Sequence, residues 1–179
     1  TNVSALITVP AGAAGQTYAF IVPTTADAKV EPNETFTVAL TSGDPNASMP
    51  AGLATGTITN DDGTAVTVTD ASATEGAAVS FTITLGADRS MPIDITATLA
   101  DGTATLADTD YTNASGLITI PAGAVGQTYT FSIPTTADAK VEPNETFTVA
   151  LTSSDPNVSV PAVPATGTIT NDDSYAVSI

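Results

Sequence analysis

Polar and apolar residues alternate with a period of two in VSFTITL, where Val79, Phe81, Ile83 and Leu85 share one face and Ser80, Thr82 and Thr84 the other. The same alternation runs through TYTFSI, with Tyr129, Phe131 and Ile133, and through TFTVALT, with Phe147, Val149 and Leu151. Thr, Val and Ile dominate these runs and fit a pleated, half-buried surface. Shorter runs at AVTVT near Val66, IDITATL near Ile93, GLITIP near Ile118 and GTIT near Ile169 bring the expectation to about seven strands. Ala- and Gly-rich stretches such as PAGAVGQ lie between strands and read as loops. No segment carries a sustained 3.6-residue stripe, so almost no helix is expected. The pattern describes an antiparallel β-sandwich.

The pattern is also duplicated. TNVSALITVPAGAAGQTY from Thr1 aligns with TNASGLITIPAGAVGQTY from Thr112, and the match runs without a gap to the C-terminus with a period of 111 residues. Of the 68 overlapping positions 52 are identical, and Pro23 to Ser42 repeats as Pro134 to Ser153 without a change. A period of this length fits an autonomous domain rather than a solenoid unit. The expected division is a C-terminal part of one domain at 1–62, a complete domain at 63–174, and the opening of a next one at 175–179, where SYAVSI matches GTAVTV. Only a few residues, NDDGT, separate the strand ending at Thr59 from the one starting near Ala65, so neighbouring domains are expected to be nearly in contact.

Charge narrows the partners. Nineteen acids against Arg89, Lys29 and Lys140 give a net charge of −16, which argues against a nucleic acid and in favour of cations. At 42 % apolar the chain can nevertheless bury a core and should fold. No run of apolar residues reaches membrane-spanning length and the N-terminus does not resemble a signal peptide, so a soluble piece of a longer chain with no transmembrane segment is expected. The absence of Cys, His and Trp removes thiol catalysis, imidazole bases, zinc sites of the usual kind and disulfides. Six Asn-x-Ser/Thr sequons are three motifs counted twice in a Thr-rich chain, which is weak ground for glycosylation.

The acids are not spread evenly. Glu75, Asp110, Asp138, Glu142, Asp172 and Asp173 all fall in predicted loops or at strand ends. In a seven-strand sandwich the loop after the fifth strand (TTADAKVEPNE) can lie beside the end of the seventh (TNDD), so carboxylates distant in sequence converge. Close-packed without a cation, they would repel and raise one another's pKa. A hard cation with six to eight oxygen ligands removes that penalty, and calcium accepts irregular carboxylate cages more readily than magnesium. Zinc or copper would require His or Cys. Lys29 and Lys140 are expected either to tether their loops and offset part of the repulsion or simply to be solvated.

These residues carry a family resemblance. EGAAVSFTITL, DGTATLADTDYT, SGLITIPAGAVGQTYTFSIPTTADAKVEPNETFTVAL and ATGTITNDD together resemble the Calx-beta domain of sodium/calcium exchangers, integrin β4 and bacterial exoproteins. The resemblance covers 65–173 and, for its second half, 1–62. It implies tandem, all-β, seven-stranded immunoglobulin-like sandwiches with a calcium site at one end. The implied metal ligands are Glu75, Asp110, Asp138, Glu142, Asp172 and Asp173, with Asp27, Glu31, Asp61 and Asp62 as their counterparts in the partial domain. Glu145 and Glu34 read as second-line or structural. The pattern is thinner than in the exchangers: Ala137 and Ala139 flank Asp138 where acids stand there, and Asn171 opens the terminal acidic run. One or two ions per site are therefore expected.

Three functions compete. Near-identical copies favour a calcium-stabilised structural repeat of a large extracellular or cell-surface bacterial protein, an adhesin stalk or a filament. Its partners would be calcium ions, neighbouring repeats of the same chain and other copies in a filament. A calcium-dependent carbohydrate- or protein-binding module is the alternative, and a calcium sensor would require specialised rather than duplicated copies. An enzyme is not expected, since the acids are too many and too clustered for an acid and nucleophile flanking a sugar cleft.

Overall fold

A computed structural model describes residues 4–12 and 14–179. Eleven strands run in chain order: β1 (Glu34–Val38), β2 (Ala54–Ile58), β3 (Thr64–Val68), β4 (Ala71–Thr74), β5 (Val79–Leu85), β6 (Ile93–Asp101), β7 (Gly116–Ile120), β8 (Thr128–Ile133), β9 (Glu145–Ser153), β10 (Val158–Ser159) and β11 (Ala165–Thr170). There is no helix among the described residues, and hence none long and apolar enough to cross a membrane.

Strands β3 to β11 form two sheets, ordered β10-β3-β5-β8 and β4-β11-β9-β6-β7. Most neighbours are antiparallel; the pairs β10–β3 and β11–β4 are parallel. The seven expected strands are all present, and β4 and β10 are additions. The pattern could not announce them, because ASAT and VS are short and carry no apolar alternation. Between β3 and β4 the chain steps from one sheet to the other at Thr69 and Asp70, and Asp70 Oδ1 secures the step by accepting from Thr166 N at 2.7 Å.

Alternation becomes burial as expected. Val79, Phe81, Ile83 and Leu85 of β5 face Ile93, Ile95, Phe147 and Val149 of the other sheet, all of them buried. Each such side chain contributes roughly 1.5–3 kcal/mol when fully removed from water. Phe81 meets Phe147 edge-on with ring centroids 6.0 Å apart, and Tyr111 stacks on Phe147 at 4.6 Å. Gly167 pairs with Phe147 across β11 and β9 because the ring lies over it: a Cβ there would fall 2.5 Å from Phe147 Cζ.

The first unit is organised differently. Its β1 and β2 pair in the register of β9 and β11, with Glu34 opposite Ile58 and Phe36 opposite Gly56 as Glu145 is opposite Ile169 and Phe147 opposite Gly167. Among its described residues, the counterparts of β7 (5–9) and β8 (17–22) form no strand. In the second unit β7 pairs only with β6, and β8 only with β5. The first unit has no counterpart of β5 or β6 in this sequence, so these segments have nothing to pair with. Leu6 and Ile21 accordingly stand 95 % and 80 % exposed.

Candidate metal centre

One end of the sandwich collects the acids. Glu75 is placed by β4, whose parallel pairing with β11 sets Thr74 opposite Thr170 and lets Glu75 N donate to Thr170 O at 3.0 Å. The chain then turns, with Ala77 N donating to Thr74 O at 3.0 Å and Gly76 at a φ of 77°. That left-handed conformation suits glycine, and a Cβ at Gly76 would lie 2.7 Å from the Cβ of Ala137. The turn carrying Glu75 therefore sits directly on the loop carrying Asp138.

That loop is built from its own polar side chains. Asp138 Oδ1 accepts from Lys140 N at 2.7 Å, and Glu142 N donates to Asn171 Oδ1 at 2.8 Å. Asn171 Nδ2 donates to Asp173 O at 2.9 Å, and Asn171 N donates to Asn144 Oδ1 at 3.2 Å. Asn171 is thus a strut that uses both ends of its amide. An aspartate there could accept but not donate, which explains why the acidic run begins with Asn.

A second loop, Asp101–Tyr111, closes the other side. Asp101 Oδ1 accepts from Leu106 N at 3.2 Å and from the Tyr111 hydroxyl at 2.5 Å. Asp110 Oδ2 accepts from Thr105 N at 2.7 Å, while Asp110 O accepts from Thr136 N at 3.0 Å. The loop is tied to β9 by Ala104 N to Thr146 O at 2.9 Å and Thr146 N to Thr103 Oγ1 at 2.8 Å. Thr109 takes a φ of 67°, an uncommon conformation for a β-branched residue, directly before Asp110.

Two carboxylate groups result. Glu75, Asp138 and Asp173 each bring an oxygen within 4.8 Å of the others, and so do Asp110, Glu142 and Glu145. In the first group Glu75 Oε2 and Asp173 Oδ2 are buried without any hydrogen-bond partner. Burial, followed by the charges of Asp138, Asp173, Asp172 and Glu142, pushes the Glu75 carboxyl above its ordinary value. In the second group burial and then Asp110 push Glu145 up to about 7. Lys140 pairs with Glu142 from the exposed side. Every ligand atom these groups offer is a carboxylate oxygen, so the arrangement fits a hard cation of calcium type.

Five of the six acids expected as ligands in the complete unit, namely Glu75, Asp110, Asp138, Glu142 and Asp173, stand in these groups. Asp172 is exposed and outside both, acting on Glu75 only through its charge. Glu145, read as structural, belongs to the second group. Its signal was the alternation itself: two residues before buried Phe147, it shares the inward face of β9.

In the first unit Asp27, Glu31, Asp61 and Asp62 form no such group among the described residues. The strut is nevertheless reproduced, with Glu31 N to Asn60 Oδ1 at 2.9 Å and Asn60 Nδ2 to Asp62 O at 2.8 Å. Lys29 pairs with Glu31 at 2.7 Å, and Lys140 also pairs with Glu142. Both lysines therefore sit on the glutamate two residues ahead in their own loop.

Comparison with known proteins follows this geometry. The family model of the Calx-beta domain matches residues 11–72 and again 60–174. No curated protein matches the chain. The apo-form Calx CBD1 domain is 24 % identical with a TM-score of 0.52, over 60 % of this chain and 98 % of that one. CBD12 from CALX1.2 is 24 % identical with a TM-score of 0.54, over 61 % of this chain and 46 % of that one. The calcium binding domain CBD12 of CALX1.1 is 26 % identical with a TM-score of 0.50, over 57 % of this chain and 42 % of that one. This chain thus spans less than half the length of either CBD12 chain and nearly all of CBD1. With the family model matched twice, across most of its residues, the chain belongs to the Calx-beta domain family.

Proposed function

We propose that this protein is a calcium-stabilised structural repeat, in which 63–174 is a complete domain, 1–62 the C-terminal part of the one before it and 175–179 the start of the next. The observation that carries the calcium reading is the Glu75, Asp138 and Asp173 group, where two buried carboxylate oxygens lack any partner. Such oxygens are costly to bury unless a cation completes them. The ligands are Glu75, Asp138 and Asp173 for one ion and Asp110, Glu142 and Glu145 for a second. Asp172 tunes the field, and the acids of 1–62 form no such group among the described residues.

The two copies support a spacer role, since length comes from repetition whereas catalysis and regulation do not. We place the repeat in a stalk or filament of an extracellular bacterial surface protein. The calcium reading is tested by native mass spectrometry of the chain in calcium. One or two bound ions are expected, reduced by one in Asp173→Asn and unchanged in Asp62→Asn. A chain that binds no calcium, or loses as much with Asp62→Asn as with Asp173→Asn, contradicts it.

A further inference from the structure

Arg89, the sole arginine of the chain, is only 4 % exposed and lies outside both carboxylate groups. The segment Asp88–Ser90 lies outside the eleven strands and carries two isolated bridges, both centred on Arg89. On one edge Arg89 N donates to Gly123 O at 2.8 Å and Gly123 N returns a bond to Arg89 O at 3.2 Å. On the other edge lies the first unit: Val30 N donates to Asp88 O at 2.9 Å, and Ser90 N donates to Val30 O at 3.1 Å. Arg89 thus bridges Gly123 antiparallel and Val30 parallel.

The loop 88–90 is held from within its own unit. Arg89 Nη2 donates to Asp155 Oδ2 at 2.8 Å, and Asp155 Oδ1 accepts from Asn157 N at 2.9 Å. Asp88 Oδ1 accepts from Val125 N at 2.5 Å. Asn157 O in turn accepts from Thr64 N at 2.8 Å, just where the connection from the first unit enters β3. The two units are therefore joined at two points far apart in sequence, the covalent link at 60–64 and the contact at Val30. One link alone leaves an angle free; two set it.

The repeat supplies an internal control. Val30 and Val141 lie at the same place in an identical stretch of twenty residues. Val30, seated on Asp88–Ser90, is 3 % exposed, whereas Val141 is half-buried and makes no such backbone bonds among the described residues.

We propose that the Asp88–Ser90 loop is a docking surface for the Lys-Val-Glu loop of the preceding repeat, with Arg89 as its internal brace. Successive repeats are clasped by backbone hydrogen bonds that require no metal ion. The partner of Val141 is accordingly the corresponding Asp-Arg-Ser loop of a following copy of the repeat. The clasp stands apart from the calcium reading, because none of its bonds uses a carboxylate of either group.

Amide hydrogen exchange by NMR on the full chain tests it, in calcium and in chelator. Val30 and Ser90 amides should exchange at least about tenfold more slowly than the amide of Val141 in both conditions. Val30→Pro, which removes the donor without touching the sandwich core, should release the Ser90 amide while β5 and β9 amides stay protected. Arg89→Leu should release Val30 as well. Equal exchange at Val30 and Val141, protection present only in calcium, or an unaltered Ser90 amide in Val30→Pro would each overturn the proposal.

Discussion

Pro23–Ser42 and Pro134–Ser153 are the same twenty residues in two settings. In both, the strand pairs with its Gly-Thr-Ile partner in one register and the Asn strut holds the acidic loop. Phe147 is fully buried while Phe36 is not, and Glu142 joins a carboxylate group while Glu31 does not. What differs is the supply of β4, β5, β6 and the Asp101–Tyr111 loop from the N-terminal half of the unit. Hairpin register and loop struts are properties of the segment; core and carboxylate groups are properties of the whole sandwich.

The comparison is broken most forcefully by making one substitution twice. Phe147→Ala should cost about 3–5 kcal/mol of sandwich stability in urea unfolding, and Phe36→Ala less than about 1 kcal/mol. Similar losses would mean that the first unit has a core of its own.

Next in size is the calcium response. At a hundredfold excess over Kd a bound ion stabilises by about 2.7 kcal/mol. Glu142→Gln should remove much of that increment, whereas Glu31→Gln in the identical loop should leave it unchanged. Equal effects would reduce the cation dependence to general screening.

A smaller effect concerns pH. Glu145 has its folded pKa raised to about 7, so the folded state holds this proton more tightly than the unfolded chain, whose glutamates titrate near 4.3. Its contribution is fully present below the unfolded value and is lost as pH rises through the folded one. In chelator, stability should therefore fall between about pH 4.5 and 7.5, by on the order of 1 kcal/mol after solvent screening. Glu145→Gln should flatten that slope, and calcium should offset it by favouring the ionised form. A wild-type slope that survives Glu145→Gln would assign it to other carboxylates.

The smallest difference should come from the lysines. Lys140→Met and Lys29→Met each remove an exposed ion pair and should leave the melting temperature almost unchanged. A larger loss in Lys140→Met alone would make that lysine part of the centre.

Much of the sandwich was legible because its strands alternate. VSFTITL states its own buried face, and the duplicated blocks give the period at which the pattern recurs. β4 and β10 were not legible, since their strand character comes from the neighbours they pair with. At the centre, acids at loop ends pointed to convergence, but Asn171 read as a lost ligand until its two amide bonds were seen. Glu145 was masked by its place in a strand, although its parity with Phe147 already turned it inward. Val30 carried no signal at all, because a valine beside a loop gives no hint of a partner in another unit.

The central claim is that the metal centre proposed for the second unit depends on Glu75, brought by β4 beside Asp138 and the buried Oδ2 of Asp173. Thermal unfolding of the wild-type chain and of Glu75→Gln across a calcium titration tests this directly. The account predicts a melting temperature that rises with calcium in the wild type and falls in chelator. In Glu75→Gln it predicts a metal-free protein at least as stable as the wild type, since one repelling charge is gone, with a much weaker rise in calcium. A melting curve indifferent to calcium in the wild type, or an undiminished rise in Glu75→Gln, would contradict it.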